Sequence, residues 1–73
     1  MSNQFVLVDS LETRKRGKPV FLHCITVIGP AYTEAFDDAE RFSGKEKAMQ
    51  SPAFLNPLCF FSPEPAKSYE ESA

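Results

Sequence analysis

Seventy-three residues, 42% of them hydrophobic with seven Phe and no Trp, allow one small globular domain and exclude both a multidomain enzyme and wholesale disorder. A chain this short buries only about 60% of the surface it exposes when unfolded, so its core is thin. The formal net charge of −2 is uneven: Arg14, Lys15, Arg16 and Lys18 hold four of the eight basic residues, leaving four basic against ten acidic, or −6, elsewhere.

Gln4 to Leu11 (QFVLVDSL) is rich in β-branched and aromatic side chains and predicts a strand apolar on both faces, Phe5 and Leu7 against Val6 and Val8. Pro19 to Ile28 (PVFLHCITVI) predicts a second such strand. Between them ETRKRGK carries one glycine and reads as the loop of a β-hairpin, with the four cations at its tip. Gly29-Pro30 ends the second strand.

Beyond it two readings compete. Tyr32, Ala35, Phe36, Ala39 and Phe42 recur at helical spacing, with Pro30 suited to the first helical position and Gly44 to the residue past the end. The other reading makes Ala31 to Phe36 a strand and starts a helix at Asp37, which then carries Gly44 in its interior. The single amphipathic helix is preferred. Lys45 to Gln50 allows one or two further helical turns ended by Pro52, and Leu58 to Phe61 predicts a short edge strand beside Pro57. From Ser62 the composition shifts to SPEPAKSYEESA, which predicts a disordered tail. The expected fold is therefore α+β: a small antiparallel sheet of one hairpin and a short third strand, one amphipathic helix on it, a domain over 1–61 and a tail over 62–73.

Chemistry is sparse. His23, Cys24 and Cys59 are the soft-ligand and nucleophile candidates, but neighbours on a strand leave opposite faces, and a structural zinc site wants four ligands. Glu34, Asp37, Asp38 and Glu40 pair at helical spacing, as a solvated polar face does. The glycines, at 17, 29 and 44, are too scattered for a phosphate loop. No metal, cofactor or catalytic residue is expected, and the chain reads as a non-enzyme. Val27-Ile28-Gly29-Pro30 resembles the hairpin of helix-hairpin-helix DNA-binding motifs, over residues 27–43 only. The second hairpin glycine is missing and the preceding segment reads as strand, so no function is taken from it.

No basic segment leading into an apolar run precedes Phe5, so neither a leader nor a membrane span is expected. One pair of cysteines fits a reducing cytoplasm with two buried thiols better than a secreted, disulfide-stapled domain. The functional lead is the basic loop 14–18, with Arg14, Lys15, Arg16 and Lys18 as partner-binding residues. A nucleic-acid binder is usually net basic and has aromatics near the charge, whereas this chain is net acidic with no aromatic between Phe5 and Phe21. The leading expectation is an accessory or inhibitor protein of the kind phages and mobile elements encode, occupying an acidic surface of a larger protein. A nucleic-acid-binding module using loop 14–18 is the alternative, and a homodimer that covers surplus apolar surface is a third expectation.

Overall fold

The structure, a computed structural model, describes residues 4–70. It is an α+β fold: a four-stranded antiparallel sheet with short helices on both faces. The strands are β1 (Phe5–Asp9), β2 (Phe21–Thr26), β3 (Gly29–Thr33) and β4 (Phe61–Pro65), in the order β3-β2-β1-β4. The helices are α1 (Ser10–Arg16), α2 (Lys45–Met49), α3 (Pro52–Leu55) and α4 (Lys67–Glu70), with a 3-10 turn at Phe36–Asp38.

β1 is central and buried on both faces, as its two-sided apolar pattern requires. Val6 and Val8 look into one layer with Phe21, Ala39 and Ala66, closed over by Phe36 and Tyr69. There the Phe21 ring meets Tyr69 edge-on at 5.0 Å and Phe36 at 5.7 Å. Leu7 looks into the other layer with Leu22, Phe61, and Ala48 and Ala53 of α2 and α3. Because side chains alternate, a one-residue slip against β4, where Leu7 faces Pro63 and Val8 faces Ser62, would exchange the two layers.

The basic segment is a helix rather than a hairpin loop. Strand β1 stops at Asp9, whose Oδ1 accepts the Glu12 N–H at 2.8 Å, and Glu12 at the third helical position completes the start pattern. Gly17, at φ 71°, ends the helix by donating its N–H to the Thr13 carbonyl at 2.9 Å. A start signal and a stop signal with seven residues between them outweigh a loop reading based on one glycine. Strands β1 and β2 then meet only at Val8 and Phe21, with Asp9 N–H donating to the Val20 carbonyl. Beyond that point they diverge and residues 40–42 enter the gap. Glu40 N–H donates to the Leu22 carbonyl at 2.9 Å, and Phe42 exchanges both backbone hydrogen bonds with Phe5 at 2.8 Å.

The predicted single helix across Tyr32–Phe42 does not form; the competing strand reading is nearer. The chain turns back at Val27-Ile28, Gly29 takes the positive φ of 131°, and residues 29–33 return along β2. Thr33 Oγ1 then accepts the Ala35 N–H and ends the strand. The helical spacing is spent on separate layers: Phe36 and Ala39 in one, Phe42 in the other, Tyr32 stacked on Phe61 at 5.6 Å. Arg41 locks the 3-10 turn, its Nη2 donating to the Phe36 carbonyl at 2.8 Å with the guanidinium 4.0 Å over the ring.

The last strand is Phe61–Pro65 rather than Leu58–Phe61, so the sequence expected to be tail begins as sheet. Ser10 N–H donates to Phe60 and Ala66 N–H to Gln4, which turns the even-numbered positions of β4 toward β1. Pro63 and Pro65 fall on the outer edge, where no N–H is needed and further strand pairing is blocked. Ala66 is buried and Tyr69 of α4 packs on Phe21, so the domain boundary at 61 is too early. Residues 71–73 of the expected tail lie outside the described residues.

Candidate functional site

The four cations are spread along and just past α1, and their surroundings differ. Arg16 reaches Glu34 Oε2 at 2.9 Å and Glu12 Oε1 at 3.2 Å. Lys18 reaches Glu34 Oε1 at 3.0 Å, and Lys15 reaches Glu12 Oε2 at 3.8 Å. Lys18 and then Arg16 hold the Glu34 carboxyl below its ordinary pKa, and Glu34 in turn raises that of Arg16. Among the described residues Arg14 is the one member of the cluster with no carboxylate partner.

Arg14 lies one helical turn from both Ser10 and Leu11, so the three share a face. That face meets Phe60 across an open groove of about 220 Å³ lined by Ser10, Leu11, Arg14 and Phe60. Phe60 is 55% exposed, yet its backbone is pinned: its carbonyl accepts Ser10 N–H at 2.9 Å and Ser10 Oγ–H at 3.2 Å, and its N–H reaches Asp9 Oδ2 at 3.5 Å. Leu58, two residues earlier, is exposed in a turn closed on Asn56 Oδ1. An apolar floor therefore stands beside an uncompensated guanidinium.

The second unusual surface is the end of the β2–β3 hairpin. A bulge between Leu22 and Cys24, where His23 is the extra residue, takes β2 out of the core, and the ribbon projects beyond the point where β1 leaves it. At its tip Val27 and Ile28 are fully exposed (104% and 95%), with Ile25 exposed behind them. No Asp, Glu, Lys or Arg occurs from Cys24 to Thr33. Thr26 Oγ1–H donates to the Gly29 carbonyl at 2.6 Å and fixes the turn.

The remaining candidates are not brought together as chemistry. His23 is exposed, and Cys24 and Cys59 are free thiols, half-buried rather than buried as expected. Cys59 Sγ lies 4.0 Å from the Tyr32 hydroxyl, whose pKa is pushed up to about 12, first by burial and then by that contact. Glu34 is committed to ion pairs while Asp37 and Asp38 face solvent. Among the described residues no three His, Cys, Asp or Glu side chains gather as a metal site, and no helix is long and apolar enough to cross a membrane.

Sequence reasoning named Arg14, and placed Phe60 in an edge strand, but missed Ser10 and Leu11 and the meeting of Arg14 with Phe60. The Asp9-x-x-Glu12 start and Gly17 stop could have placed Leu11 and Arg14 on one face; Phe60, some fifty residues away, leaves no local signal. The fold and its surfaces define a small α+β protein with a basic helix and an apolar ribbon. No family model matches the chain, and neither a curated protein nor a solved structure matches it.

Proposed function

We propose that this chain is a non-enzymatic binding protein that acts in a reducing cytoplasm by occupying a surface of a larger protein. The observation that carries the reading is the charge-free ribbon tip, where Val27 and Ile28 stand wholly in water. Each would gain about 1.5–3 kcal/mol on burial in a partner, and contiguous exposed apolar surface marks interaction sites. The phosphates of a polyanion offer such a tip nothing. Glu12 and Glu34 already neutralise part of the basic cluster, and the rest of the molecule carries an excess of negative charge, so phosphate binding is the weaker reading.

The test is affinity capture from native host lysate, with nucleic acid digested, using the wild type and a Val27→Ser/Ile28→Ser variant, followed by reconstitution with the purified partner. One protein held stoichiometrically by the wild type and lost by the variant is expected. Wild type that holds only nucleic acid, or that buries the tip in a second copy of itself by sedimentation, would overturn the reading.

A further inference from the structure

The protein-binding reading can be taken one step further at a second surface, on which it does not itself depend. We infer that the groove between α1 and Phe60 is a docking site for an acidic peptide segment of a protein partner. The groove takes one apolar side chain, and Arg14 takes a carboxylate one to three residues further along the peptide. Size sets the first part. About 220 Å³ is below the span of cofactor and drug-sized pockets, roughly 300–1,000 Å³, and suits a single large side chain. Leu11 and Phe60 line it, and the Phe60 backbone is held through Asp9 and Ser10, so the two segments that form the groove are fixed relative to each other.

Charge sets the second part. Around α1 the cations Arg14, Lys15, Arg16 and Lys18 face two carboxylates, Glu12 and Glu34; three of them share those carboxylates, and Arg14, at the groove, has none among the described residues. A guanidinium at the rim of an apolar slot presents a planar fork that fits a carboxylate bidentately. Phe60 beside Arg14 also offers a stacking face to a nucleic-acid base. Glu12, which pairs with Lys15 and Arg16 on the same helix, disfavours the run of phosphates that would come with that base more than the single carboxylate of a peptide. The observations favour the peptide.

The probe is a panel of capped hexapeptides, each with one Leu, Ile, Phe or Trp followed within three positions by Glu, titrated against the isotopically labelled full chain and read by amide chemical shifts. Saturable shifts confined to residues around Ser10, Leu11, Arg14 and Phe60 are expected. Replacing the peptide Glu by Gln, or Arg14→Gln in the protein, should weaken binding about two- to fivefold, the strength of an exposed ion pair. Lys15→Gln should change it by less than twofold, because Lys15 is spent on Glu12. Arg14→Gln leaves the core untouched, and its thermal transition should coincide with that of the wild type.

No shifts at the peptide solubility limit, or shifts equal for Glu and Gln peptides, would overturn the assignment. Shifts on Val27 and Ile28 alone would overturn it too, yet leave the binding function standing. Saturable binding of a short oligothymidylate at Phe60 in place of peptide would overturn the groove assignment in favour of nucleic acid. Failure of the function itself is read separately, in the capture experiment with the ribbon variant.

Discussion

Strand β1 and the tip of the β2–β3 ribbon are built from the same kind of residue and meet opposite fates. Val6 and Leu7 are wholly buried, whereas Val27 and Ile28 are wholly exposed. The difference is cover. Helices α2 and α3 lie on one face of β1, and Phe36, Ala39 and Tyr69 on the other. The ribbon leaves the sheet where β1 and β2 part, and nothing in the described residues follows it. In one region apolar side chains hold the molecule together; in the other they are surface for something else.

The comparison breaks most visibly if the cover is removed. Truncation after Ser62 deletes most of β4 together with Ala66 and Tyr69, which close the layer over Val6, Val8 and Phe21. Loss of the cooperative thermal transition is expected; a truncated chain that melts like the full one would show that β4 and α4 do not hold the sheet. Next in size, Leu7→Ala or Leu22→Ala should cost about 2–5 kcal/mol, a loss of packing at sites with no exposure. Val27→Ala, in the same denaturant titration, should stay within about 0.5 kcal/mol. Equal costs would mean that the ribbon tip is covered in solution.

A smaller effect sharpens the link between β1 and α1. Asp9→Ala removes the acceptor of the Glu12 N–H and of the longer Phe60 N–H contact and should cost about 0.5–2 kcal/mol, while Asp9→Asn keeps the cap acceptor and gives up only the 3.5 Å contact to Phe60. Loss of helical amide protection in the alanine variant alone would support the cap.

The smallest effects are electrostatic. Glu34 titrates below its usual 4.5 because Lys18 and Arg16 favour its ionised form. Its contribution is therefore complete above that usual value and is lost as pH falls through the lower, folded value. These groups are solvent-exposed, so the slope should be shallow, should vanish in Glu34→Gln and should fade with salt. Tyr32 has the opposite sign. Its pKa is raised from 10.0 to about 12, so its contribution is whole below the lower figure and fades as pH climbs between the two. Phenolate absorbance in a Tyr69→Phe variant would follow Tyr32 alone, and titration near 10 would show that burial does not act on it.

By itself the sequence determined the α+β class, the strand character of residues 5–9 and 21–26, and the two-sided burial of β1. Those follow from β-branched and aromatic runs whose faces are both apolar, patterns confined to neighbouring residues. The helix over Ser10–Arg16 was also written locally, in Asp9, Glu12 and Gly17, although one glycine between two strand-like runs made the segment read as a hairpin loop. Only the tertiary structure decided that Phe61–Pro65 pairs with β1, that Phe60 stands beside Arg14, and that Val27 and Ile28 are left in water. Pairing and cover depend on which distant segments meet, and hydropathy has the same value for a buried valine as for an exposed one.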